Sequence, residues 1–153
     1  DCEDLIMNYT LSSIKNTEYP QLMHIWENSV RATHHFLSEE DLLFYKELIP
    51  SYFGAVRLTA VRDLSNTIIG FMGTSSDSIE MLFIDPSHRR KGIGKLLVNF
   101  ALENLNLNKV DVNEQNEQAL AFYLSQGFEV INRSNLDGSG KPYPIFHLSR
   151  ITK

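Results

Sequence analysis

The chain switches several times between two hydrophobic periods, and each switch marks a new element. Asn8 to Ile14 carries a short β-like alternation and predicts a first strand. Leu22, Ile25, Trp26, Ser29 and Val30 then recur at helical spacing and predict a helix with one apolar stripe against the core. Ser38, with Asp41 three places on, opens a second helix in the manner of a capping box. Its apolar residues, Leu42, Leu43, Phe44, Tyr45, Leu48, Ile49, Tyr52 and Phe53, point in too many directions for one face. That helix is expected either to be buried on two sides or to line a substrate cleft or a dimer contact.

Two β-rich runs, Ala55 to Arg62 and Thr67 to Ser75, flank Asp63-Leu64-Ser65-Asn66 in the pattern of an antiparallel hairpin, and a third strand is expected from Ser78 to Ile84. Pro86 blocks its extension. Ile93, Leu96, Leu97, Phe100, Ala101 and Leu105 predict an amphipathic helix, Lys109 to Val112 a short buried strand, and Glu117 to Gln126 a helix stopped by Gly127. Two last strands flank the turn Asp137-Gly138-Ser139-Gly140. The resulting α/β architecture is a mixed, mostly antiparallel twisted sheet of about seven strands with four helices on its faces. The step from Glu80 to Val112 is a crossover that makes one central parallel pair, and ligands of such sheets collect at the carboxyl ends of parallel strands.

Length and composition narrow the class. The 153 residues suit one domain, 1–153, with its own core, and no apolar run is long enough to span a bilayer. The start, Asp1 to Met7, lacks the basic and apolar regions of a signal peptide, so a cytoplasmic location is expected. Cys2 is the one cysteine, which leaves no disulfide framework and no thiolate metal cluster. A net charge of −5 opposes general binding to nucleic acid and favours cationic substrates. A nucleic-acid role would rest on His88 to Lys91 alone.

Between the third strand and the amphipathic helix lies Asp85-Pro86-Ser87-His88-Arg89-Arg90-Lys91-Gly92-Ile93-Gly94-Lys95. Gly92 and Gly94 let a ligand approach the backbone, free N–H groups from Ile93 onward face it with the helix dipole behind them, and Arg89, Arg90, Lys91 and Lys95 add full charge. This chemistry suits a pyrophosphate. The spacing fits neither a P-loop nor a dinucleotide fingerprint, because Leu97 stands where a third glycine is needed.

Arg89, Gly92 and Gly94, following the apolar run Leu82-Phe83-Ile84 and Pro86, resemble the coenzyme A loop of the GNAT acetyltransferases. Asn116, Ala119, Phe122-Tyr123 and Gly127-Phe128 resemble that family's second signature. The resemblance implies the GNAT fold, acetyl-CoA as co-substrate with no metal, and transfer of acetyl to a primary amine by direct attack. It further implies that N–H groups near Leu82, Phe83 and Ile84 polarise the thioester carbonyl. Asn116 would contact the pantetheine arm or neighbouring backbone, and Tyr123 would protonate the leaving thiolate. Shorter matches, among them Ala32-Thr33-His34, Phe36-Leu37-Ser38 and Gly140-Lys141-Pro142-Tyr143-Pro144, look like bacterial YjaB-type acetyltransferases, a group of amine or protein-lysine acetyltransferases.

Tyr123 also stands on its own chemistry, since a phenol remains protonated at neutral pH and its spacing from Ala119 puts it on the inner face of its helix. A base must accept the amine's proton, and Glu80 is the carboxylate best placed on the strand, where alternation puts Ser78, Glu80 and Leu82 on one side. His34 and His35 are candidates for the acceptor wall, without the spacing of a metal site. The acceptor is a small-molecule amine or a protein lysine, and the chain a monomer or homodimer. The residues leave open another acyl-CoA donor and a non-catalytic coenzyme A-binding module.

Overall fold

The computed structural model describes residues 8–151, so Cys2 and the segment Asp1 to Met7 lie outside the described residues. The elements run β1 (Thr10–Ser12), a 3₁₀ turn (Asn16–Glu18), α1 (Tyr19–Thr33), α2 (Glu39–Phe53), β2 (Arg57–Arg62), β3 (Ile68–Thr74) and β4 (Ile79–Ile84). A second 3₁₀ turn (Pro86–His88) leads to α3 (Ile93–Asn104), β5 (Lys109–Asn113), α4 (Glu117–Ser125), β6 (Phe128–Ser134) and β7 (Ile145–Arg150). The sheet has seven strands in the order β1-β2-β3-β4-β5-β7-β6, antiparallel except for β4 with β5.

Each face is closed by one pair of helices. Ile93, Leu97, Val98 and Ala101 of α3 pack with Tyr123 and Phe128 against Ile79, Val110, Val112 and Leu148. On the other face Leu22, Ile25, Trp26 and Val30 of α1, with Leu42 and Phe53 of α2, cover Ala60, Ile68 and Phe71. This is why β3 is buried along its whole length. The stripe predicted for α1 is the one observed, with Ser29 among its buried residues.

Three expectations change. The first strand is shorter than Asn8 to Ile14, because Arg62 pulls the chain off the sheet edge. Its Nη2 donates to Ser13 O at 3.1 Å, and its Nη1 pairs with Glu18 Oε2 at 2.8 Å. The α2 helix lines neither cavity described below: Leu42 and Phe53 are buried, while Leu43, Phe44 and Tyr52 are exposed. Its polar groups hold the β6–β7 loop instead, through Asp41 to Lys141 Nζ at 2.8 Å, Tyr143 to Asp41, Tyr45 to Asp137, and Lys141 Nζ 4.5 Å above the Phe44 ring. Finally, β4 does not alternate simply. Gly73 pairs with Met81 and Thr74 with Ile79, which leaves Glu80 as the extra residue of a bulge. Ile79 and Leu82 consequently face the α3 side, while Met81 and Phe83 face α1.

The parallel pair is barely a pair. The only registered partners of β4 and β5 are Ile79 and Val110, near the start of both strands. Beyond them no further pair is registered, and a cavity lined by both strands opens there.

Candidate active site

The basic loop becomes a cradle because two residues take left-handed backbone conformations. Arg90 has φ 62° and Gly92 φ 81°, so the chain turns sharply into α3. A side chain at Gly92 would be strained by roughly 1–2 kcal/mol in this conformation. Gly94 has a different use: a Cβ there would lie 3.2 Å from Phe122 Cζ, so its absence lets the start of α3 rest on the Phe122 ring. Ile93, Gly94 and Lys95 occupy the first helical turn, whose N–H groups have no intrahelical acceptors.

On the far side of the gap, Asn116 caps α4, its Oδ1 accepting from Ala119 N at 3.2 Å. Its side chain therefore serves neighbouring backbone, one of the two roles the resemblance implied. The cap directs α4 so that Tyr123 is buried, at 6% exposure, with ring centroids 5.1 Å from Phe122 and 5.5 Å from Phe128. Burial alone pushes the Tyr123 phenol above its ordinary pKa, so it holds its proton across the neutral range.

A cavity of about 630 Å³ lies between the loop and Tyr123. It is lined by Leu82, Phe83, Ile84, Arg89, Arg90, Gly92, Ile93, Gly94, Lys95, Asn116, Ala119, Phe122 and Tyr123. Its charged walls are cationic, with Arg89, Arg90 and Lys95 and no carboxylate. A second cavity of about 130 Å³ opens from β4 and β5 and shares His34, Leu82, Phe83, Asn116, Ala119 and Tyr123 with the first. Its charged residues are Glu80 and Asp111, without lysine or arginine. Glu80 is oriented by two hydroxyls, with Oε1 accepting from Ser78 Oγ at 2.6 Å and Ser75 Oγ at 2.9 Å.

His34 stands in the wall common to both cavities. Burial, with the charges of Arg89 and His35 adding to it, pulls its pKa down to about 4, so its imidazole is neutral at pH 7. Thr33 Oγ1 lies 2.8 Å from its Nδ1. His35 and Lys91 are exposed and line neither cavity, so the structure does not bring them together with the other candidates. Sequence reasoning missed Ser29, Thr33, His88 and Gln118 on the larger cavity and Asp111 and Asn113 on the smaller one. Ser29 left a signal, a polar residue inside an apolar stripe. Asp111 left none, because a carboxylate alternating with Val110 and Val112 reads as a solvent-facing strand position.

The residues present fit coenzyme A. The large cavity joins a glycine-bearing turn, unpaired helix-start N–H groups and three cations, the donor set a diphosphate requires. Among the described residues no three side chains gather as metal ligands, and no helix is long and apolar enough to cross a membrane.

Comparison with known proteins agrees with this geometry. The acetyltransferase (GNAT) domain family matches residues 27–140. The peptidyl-lysine N-acetyltransferase YjaB of Escherichia coli is 39% identical over 90% of this chain and 93% of its own length. The protein of the same name from Salmonella typhimurium is 40% identical over 88% and 92%. The solution structure of apo-form YjaB from Escherichia coli superposes with a TM-score of 0.88 at 37% identity, covering 95% of this chain and 99% of that one. PaiA N-acetyltransferase from Thermoplasma acidophilum, in complex with coenzyme A, shares the fold, with a TM-score of 0.76 at 18% identity over 94% and 99% of the two chains. The fold, the cationic cradle and these matches agree: the chain belongs to the GNAT family and is an acetyl-CoA-dependent N-acetyltransferase.

Proposed function

We propose that the acceptor is the side-chain amine of a protein lysine, delivered through the smaller cavity to Tyr123. The observation that carries this reading is the division of charge on the two sides of that tyrosine. Three cations and no carboxylate line the larger cavity, whereas two carboxylates and no lysine or arginine line the smaller. A diphosphate is favoured on one side and an ammonium on the other. The relatives named peptidyl-lysine N-acetyltransferases support a lysine as the source of that ammonium.

Arg89, Arg90, Lys95 and the N–H groups at the start of α3 hold the diphosphate. Acetyl-CoA, when bound, supplies an activated acetyl thioester. Leu82, Phe83 and Ile84, at the carboxyl end of β4 where the sheet has parted, line the larger cavity, where their N–H groups would polarise the thioester carbonyl. Tyr123 keeps a proton at its hydroxyl and gives it to a thiolate leaving at the shared wall. His34, neutral at pH 7, adds a polar surface without repelling an incoming ammonium.

The test is release of free thiol from acetyl-CoA in the presence of lysine peptides, polyamines, aminoglycosides and free amino acids. Lysine peptides are expected to give the highest kcat/KM. Equal or better turnover of a small amine would remove the protein-lysine acceptor.

A further inference from the structure

We propose that Asp111, held in place by His147 and Ser134, is the group that meets the acceptor ammonium and takes its proton. This rests on the reading of the smaller cavity as the acceptor side.

The three residues come from three adjacent strands. Asp111 of β5 is the direct partner of His147 of β7, and β6 flanks β7 on its other side. His147 Nδ1 lies 2.7 Å from Asp111 Oδ1, and His147 Nε2 lies 2.7 Å from Ser134 Oγ. With Ser134 donating to Nε2, the neutral imidazole carries its hydrogen on Nδ1 and donates it to the carboxylate. The order of groups is that of a hydrolase triad, but the cavity stands at the other end. Asp111 lines the smaller cavity, whereas His147 and Ser134 line neither. The row is therefore read from its carboxylate, with imidazole and hydroxyl fixing one oxygen and leaving Oδ2 for a ligand.

Glu80 lines the same cavity, yet its support consists of two hydroxyls from its own turn. Asp111 is instead held by an imidazole N–H whose orientation Ser134 fixes, and its side chain is 64% exposed, which gives the proton a way out. The ammonium's N–H proton passes to Asp111 Oδ2, leaving a neutral amine and a carboxylic acid, and water at the cavity mouth then takes the proton back. The charged and titratable groups around Asp111 are Glu80 on β4 and His34, which line the same cavity, Lys109 two places back on β5, and His147 on β7.

The experiment compares acetylation of one lysine peptide, at saturating acetyl-CoA, by the parent chain and by Asp111→Asn, His147→Leu and His147→Asn. Asp111→Asn is expected to lower kcat/KM for the peptide by about 10²-fold near neutral pH, with acetyl-CoA affinity unchanged. The deficit should shrink as pH approaches the lysine pKa of about 10.4, where free amine is supplied by solution. His147→Leu should cost less, and His147→Asn, which keeps an N–H donor near Nδ1, should recover most of that loss. A deficit of the same size at every pH would mark a structural role and overturn the proposal, as would an Asp111→Asn variant with parental activity. A parent chain that binds acetyl-CoA but acetylates no amine would instead remove the underlying reading.

Discussion

The larger cavity takes its charge from one contiguous stretch, Arg89 to Lys95, whereas the smaller takes its charge from two carboxylates on different strands, Glu80 on β4 and Asp111 on β5. A net charge of −5 favours a cationic partner but locates neither arrangement in the fold. The lesson is that the field is local: two cavities that share six residues carry charge of opposite sign. Tyr123 lines both, which is why the acid role is proposed for its phenol.

Substitutions that act on one cavity and spare the other would sharpen this division, and any that moves both would break it. Tyr123→Phe, in the shared wall, should have the largest effect. Turnover is expected to fall by about 10²–10⁴-fold while the dissociation constant for acetyl-CoA, measured by calorimetry, stays the same. Arg89→Glu should weaken acetyl-CoA on the order of 10²-fold by replacing a charge-assisted contact with repulsion, and leave the KM of a lysine peptide unchanged. Glu80→Gln should do the reverse, raising the KM of the cationic acceptor about threefold to tenfold with coenzyme A affinity intact in the same calorimetric assay. The smallest effect concerns stability. The folded chain holds His34 at a pKa of about 4 against 6.5 in the open, so its contribution is present above pH 6.5 and lost as pH falls toward 4. His34→Gln should flatten that part of a denaturation profile followed by circular dichroism.

The coenzyme A side was legible because its parts are neighbours in sequence. A strand, a proline, a basic turn, two glycines and an amphipathic helix can be read in order, and the structure keeps that order around the cavity. Tyr123 was legible for a related reason, since its helix carries its own cap at Asn116 and stop at Gly127. The smaller cavity was legible only in part: Glu80 and His34 were candidates from sequence, whereas the groups around Asp111 meet only through pairing. Asp111, Ser134 and His147 become neighbours when β7 inserts between β5 and β6, and nothing local to any of them announces it. The bulge at Glu80 was equally hidden, since strict alternation is the default reading of a strand and one extra residue reverses every position before it. The pattern of α2 was ambiguous for the same reason, because its second set of contacts, from Asp41 and Tyr45, is to the distant β6–β7 loop.

The single rung at Ile79 and Val110 gives the sheet a seam. On one side β1 to β4 pair antiparallel in chain order, and on the other β7 lies antiparallel between β5 and β6; the two halves are registered to each other at that one pair of residues. A guest lying in the opening would act as a stitch between the halves. Amide hydrogens flanking the seam should then exchange more slowly with a guest bound than without one, while those deep inside each half change little.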